Sequence, residues 1–92
     1  MTAFKAIMDH KELLITFVAI NMLKKTSMSQ LRKKIKIQFL GNVVTDLKKL
    51  GAVYQFGEHL YPSVIGEQFY YKYIEPLSKE QDRAKFQEMI KA

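Results

Sequence analysis

Leu47-Lys48-Lys49-Leu50-Gly51-Ala52-Val53 compresses a helix end and a strand start into seven residues. Upstream, Leu40, Val43, Val44, Leu47 and Leu50 recur at three- and four-residue spacing, which is one apolar face of a helix over residues 40–50. Gly51 stops that helix, because a glycine just past the last turn adopts the left-handed conformation that closes a C-terminus. Downstream, Ala52-Val53-Tyr54-Gln55-Phe56 reads as a short strand. The polar face of the helix carries Gln38, Asn42, Thr45 and Lys49, again four, three and four apart. Residues 36–40 read as a turn into the helix. Its two β-branched valines weaken helix propensity, so a strand over residues 36–40 is the local alternative.

Further upstream, Thr26 and Ser27 offer N-cap oxygens for a helix over residues 27–35. It has Met28, Leu31 and Ile35 inside and Gln30, Arg32, Lys33 and Lys34 outside. Residues 4–25 read as one long helix, from Phe4, Ile7, Met8, Leu14, Ile15, Val18 and Met22 at helical spacing. Thr16 and Asn21 are expected on its other, polar faces. Leu13, Phe17, Ile20 and Leu23 widen its apolar surface beyond one stripe, which suits a central helix or one shared with a second subunit.

On the other side of Gly51, Gln68-Phe69-Tyr70-Tyr71-Lys72-Tyr73-Ile74 reads as a second, aromatic strand. It pairs with the first across the eleven residues Gly57–Glu67, giving a hairpin over residues 52–74. Ser78 and Gln81 have the spacing of a capping box, and a last helix over residues 78–91 buries Phe86, Met89 and Ile90. The expected fold class is mostly α with a small β-hairpin, in the order helix, helix, helix, strand, strand, helix. The 92 residues have the length of one domain, 1–92. Its core is marginal enough that a partner or a self-dimer is expected.

Charge is concentrated. Between Lys24 and Lys49 there are eight basic residues and one acid, Asp46, giving +7, while the formal net charge of the chain is +6. The remaining residues are therefore close to neutral, and the whole excess falls on the central helices. A localised positive field is what a polyanion-binding surface requires.

The stretch Met28-Ser29-Gln30-Leu31, followed by Val43-Val44-Thr45-Asp46-Leu47 and the Gly51-Ala52-Val53 ending, resembles the winged-helix (winged helix-turn-helix) DNA-binding superfamily. The resemblance covers about residues 12–76. It implies a second helix that braces a third, recognition helix over residues 40–50, with the hairpin as wing. Two features depart from the pattern: the turn before the third helix is apolar, with Ile37, Phe39 and Leu40, and residues 57–67 contain no lysine or arginine. A wing that grips phosphate is normally basic.

If that helix enters a major groove, Gln38, Asn42, Thr45 and Lys49 are the expected base contacts. Amides pair with adenine, and a threonine methyl can meet a thymine methyl. Lys24, Lys25, Arg32, Lys33, Lys34, Lys36 and Lys48 are the expected phosphate contacts. Asp46 would repel phosphate and should point away or pair with Lys48 or Lys49. The expected function is sequence-specific double-stranded DNA binding by a cytoplasmic homodimer, a transcriptional regulator or an operator- or centromere-type site binder. Phe4, Met8, Phe17, Phe86, Met89 and Ile90 are its expected dimer interface. The alternative is a winged-helix module that binds a protein partner of a transcription or replication machine. A lesser alternative makes the aromatic strand a stacking platform for single strands.

Catalysis is not expected. His10 and His59 have no metal-ligand spacing, and there is no cysteine for a thiolate site or nucleophile. The four glycines are isolated, so no phosphate-binding loop is present. No cofactor or metal is expected. The longest apolar run, Leu13–Leu23, is shorter than the roughly 20 residues that span a bilayer. Asp9 and Glu12 precede it, so neither a membrane span nor a secretory signal is expected.

Overall fold

The computed structural model describes residues 4–77, in which helices dominate and a three-stranded antiparallel sheet completes the core. The elements are α1 (Lys5–Asp9), α2 (Lys11–Leu23), β1 (Thr26–Ser27), α3 (Met28–Lys34), α4 (Leu40–Lys49), β2 (Val53–Phe56), β3 (His59–Pro62) and α5 (Val64–Phe69). A π-helical turn, Tyr70–Ile74, and a short 3-10 turn, Glu75–Leu77, follow α5. The expected helix over residues 78–91 lies outside the described residues. Among the described residues, no helix is long and apolar enough to cross a membrane.

The single helix expected over residues 4–25 is two helices. His10 is extended, at φ −117° and ψ 115°, and divides α1 from α2. Its N–H still donates to the Ala6 carbonyl and its carbonyl still accepts from Leu14, so the break leaves neither group unpaired. The core explains the break. The Phe4 and Phe17 rings lie 5.2 and 6.2 Å from the ring of Phe69. A continuous helix would hold Phe4 and Phe17 roughly 20 Å apart along its axis, so α1 must fold back for both to reach one partner.

α2 is enclosed, packing against α1, α4 and β3. That is why Thr16 and Asn21, expected on polar faces, are instead fully buried. Asn21 turns its Nδ2 onto the Phe17 carbonyl one turn earlier, at 3.0 Å. The helix ends at Leu23, not at residue 25. Lys24 has φ +67°, and the Lys25 N–H reaches back to the Leu23 carbonyl at 2.7 Å, a three-residue γ-turn.

The reversal feeds β1, a strand the sequence does not announce. Thr26 and Ser27 pair with Leu60 and His59, giving the sheet order β1-β3-β2. Ser27 then begins α3 with a reciprocal cap: its Oγ accepts the Gln30 N–H, and the Gln30 side chain accepts the Ser27 N–H. Replacing Ser27 by alanine is expected to lower stability by about 1 kcal/mol, read as a shift in urea midpoint without a change of slope. An unchanged midpoint would mean that the cap adds nothing to stability.

α4 ends where the glycine says it should. Gly51 has φ +78°, its N–H bonds to the Lys48 carbonyl, and the Ala52 N–H bonds to the Leu47 carbonyl, both at 3.0 Å. Those two bonds are the Schellman closure.

The hairpin is tighter than expected. β2 and β3 are joined by Gly57-Glu58 alone, with Gly57 at φ +63°, as a two-residue turn with glycine first requires. Tyr54 and Tyr61 face each other across the strands with rings stacked at 5.2 Å, and Leu60 is buried between the sheet and α2. The eleven-residue loop and the strand at residues 68–74 are therefore corrected: residues 64–74 are helical. A strand would place Phe69, Tyr71 and Tyr73 on one face. Burial follows helical spacing instead: Gly66, Phe69, Tyr70 and Ile74 are buried, while Tyr71, Lys72 and Tyr73 are exposed. The strand on which the lesser alternative of a stacking platform was built is therefore a helical turn.

Candidate nucleic-acid interface

α4 is amphipathic in the strict sense. Leu40, Val43, Val44 and Leu47 are buried, and Asn42, Thr45 and Lys49 occupy an arc of about 60° on the opposite side. Thr45 donates its hydroxyl proton to the Gly41 carbonyl, at 2.9 Å. Gln38 is exposed in the turn that leads into the helix, beside Phe39, which is 62 % exposed. The apolar turn noted in the sequence thus divides: Leu40 enters the core, Ile37 is half-buried, and Phe39 stays outside.

Asp46 makes no ion pair with Lys48 or Lys49. It lies on the flank of α4 and, with Lys49, lines an open cleft of about 590 Å³ beneath the His10 break, opposite Lys11 and Glu12. Lys48, on the other flank, donates to the Gln55 side chain at 2.9 Å, and Gln55 donates in turn to the Gly57 carbonyl at 3.0 Å. That chain of bonds ties the end of α4 to the tip of the hairpin. Gln55 is a contributor that spacing along the helices could not reveal, because its partner lies on another element.

Six of the eight basic residues between Lys24 and Lys49 fall in three places. Arg32, Lys33 and Lys34 are exposed in the last turn of α3, Lys36 is exposed in the link to α4, and Lys48 and Lys49 are exposed in the last turn of α4. Positive charge in a last helical turn also complements the helix dipole, worth about 0.3–1 kcal/mol at an exposed position. These side chains therefore serve the fold as well as the field they project. Lys25 is exposed in the γ-turn.

Lys24 differs from the rest. It is held toward α5, with its ammonium 3.2 Å from the Glu67 carboxylate, bonded to the Tyr71 hydroxyl and 4.3 Å from the Tyr71 ring centroid. Burial works against its charge, but the bonds to Tyr71 and Glu67 outweigh that and hold its pKa above the ordinary lysine value. A phosphate at Lys24 would have to compete with both partners. The hairpin tip is Gly57-Glu58, with Phe56 beside it 75 % exposed, so the tip offers an aromatic ring and an acid in place of a cation.

Of the expected dimer contacts, Phe4 and Phe17 are corrected: both are core residues, at 3 % and 0 % exposure, because the helix break turns them inward together. Met8 is exposed, and Phe86, Met89 and Ile90 lie outside the described residues. Among the described residues, no three histidine, aspartate or glutamate side chains cluster as metal ligands would. No family model, curated protein or solved structure matches the chain, so its function must be read from its own surface.

Proposed function

We propose that the chain is a winged helix-turn-helix domain that binds double-stranded DNA sequence-specifically through α4, acting as a homodimer at operator- or centromere-type sites or as a transcriptional regulator. The observation that carries this reading is the +7 between Lys24 and Lys49, with Arg32, Lys33, Lys34 and Lys36 exposed before a helix whose outer arc is Asn42, Thr45 and Lys49. The layout is compatible with it: α3 leads through a short link into α4, and β1 adds a third strand to the hairpin that follows. A two-fold pair would double the contacts of a module this small on a palindromic site.

The experiment is fluorescence anisotropy with a mixed-sequence duplex and its matched single strand at several salt concentrations. The expected result is duplex binding that weakens steeply with salt, with a log–log slope of roughly −4 to −7 for 4–8 phosphate contacts per dimer. Absence of duplex binding at low salt would overturn the reading.

The second reading, a module for an acidic protein partner, draws on Phe39 and on a hairpin tip that has Glu58 and no basic residue. An exposed aromatic inside a basic surface is a familiar interface anchor. It becomes the leading reading if duplex DNA is refused.

A further inference from the structure

The hydrogen bond from the Thr45 hydroxyl to the Gly41 carbonyl limits what α4 can read. A threonine hydroxyl has one proton, and here the backbone one turn back holds it. What Thr45 presents outward is a methyl group and an oxygen that can only accept. In the major groove guanine offers the acceptors N7 and O6 and no donor, so this Thr45 has nothing to give it; adenine N6 and cytosine N4 can still donate to its oxygen, and what separates thymine from the rest is its methyl group. Thymine offers its C5 methyl, which suits the threonine methyl directly. Asn42 lies three residues earlier on the same exposed arc, a neighbour about 5–6 Å away between Cβ atoms. That spacing matches reach to adjoining base pairs, about 3.4 Å apart along the duplex. Its amide carries both a donor and an acceptor, the pair that adenine N6 and N7 complete.

We propose that α4 reads an A·T-containing step, with Asn42 on an adenine and the Thr45 methyl on the thymine methyl of the adjoining pair, and that the Gly41–Thr45 hydrogen bond disfavours guanine opposite Thr45 by occupying its one donor. The inference rests on the duplex-DNA reading of this face. It goes beyond that reading by naming the base and the group on it.

The test starts from the preferred site selected out of a randomised duplex library. Each thymine of that site is then replaced in turn by deoxyuridine, which removes only the C5 methyl. One replacement is expected to weaken wild-type binding about fourfold, the value of one buried methyl-sized group. Thr45→Ser, which lacks the methyl, should bind the selected site about fourfold more weakly and show no further loss at that position. Thr45→Val, which keeps a methyl and lacks the hydroxyl, should bind within about fourfold of wild type, since it differs by one methyl-sized group, and stay sensitive to deoxyuridine. The salt slope of each variant, unchanged from wild type, reports that the fold and the phosphate contacts are intact.

A selected site with no methyl-sensitive thymine would overturn the inference, as would a Thr45→Ser protein that keeps the sensitivity. Selection of guanine at the Thr45-dependent position would do the same. Salt-dependent duplex binding with no sequence preference overturns this inference and leaves the duplex reading standing. Absence of duplex binding removes both.

Discussion

Gly66→Ala is expected to destabilise the domain by about 1–3 kcal/mol or more, the range for overpacking a filled site. In an ordinary helix interior the same change stabilises by about 1 kcal/mol, so the sign itself is diagnostic. A Cβ on Gly66 would come far inside 3.0 Å of the Ala52 carbonyl oxygen and 3.0 Å from the Ser63 Oγ. The obstacle is backbone, and no side-chain rotation relieves it. Nor can α5 retreat cheaply. Ser63 ties its start to the preceding turn through its N–H on the Ala52 carbonyl at 3.0 Å and its hydroxyl on the Gly51 carbonyl at 2.6 Å, while its Oγ accepts the Gly66 N–H at 2.9 Å.

Thermal unfolding reads the effect as a fall of roughly 4–8 °C in Tm for each kcal/mol of destabilisation. Gly41→Ala is the matched control: it lies in α4 with nothing within 4 Å of its position, and its Tm should hold or rise slightly. If Gly66→Ala left Tm unchanged or raised it, α5 would not be seated on the Ala52 carbonyl.

The largest expected effect on binding comes from neutralising the end of α3. If Arg32, Lys33 and Lys34 each hold a phosphate, replacing all three by alanine should make the log–log salt slope shallower by about 2.7 per subunit, from about 0.9 for each phosphate that is no longer neutralised. Affinity should fall by a similar factor on every duplex, because phosphate contacts carry no sequence information. Alanine is the best helix former, so loss of α3 is not the expected cause of weaker binding. A slope equal to that of wild type would show that these three side chains do not touch the backbone. The charge at the end of α3 would then serve only the helix dipole and solubility.

Features that depend on a few adjacent residues were legible in the sequence. α4 follows from its apolar spacing, its end from Gly51, and the start of α3 from the N-cap oxygens of Thr26 and Ser27, because each involves bonds within one or two turns. The exposed arc of Asn42, Thr45 and Lys49 follows from the same periodicity, and the concentration of charge is a property of composition alone. The π-helical turn was misread because tyrosine and phenylalanine favour strands in general, whereas which of them is buried depends on what they pack against. Phe69 is buried because Phe4 and Phe17 converge on it, and those three residues are far apart in the chain.

The break at His10 has the same origin. No helix stop signal stands there, and the backbone bends because one aromatic cluster holds residues from both helices. β1 is two residues long and has no period to detect; it is a strand only because β3 arrives to pair with it. Lys24 looked like one more cation until α5 and the π-helical turn after it brought Glu67 and Tyr71 to it. Local spacing thus determined the helix that presents the candidate surface, the closure of its C-terminus and its charge. Tertiary structure decided where the chain reverses and which side chains are withdrawn into the core, because those outcomes depend on contacts between residues that the sequence keeps apart.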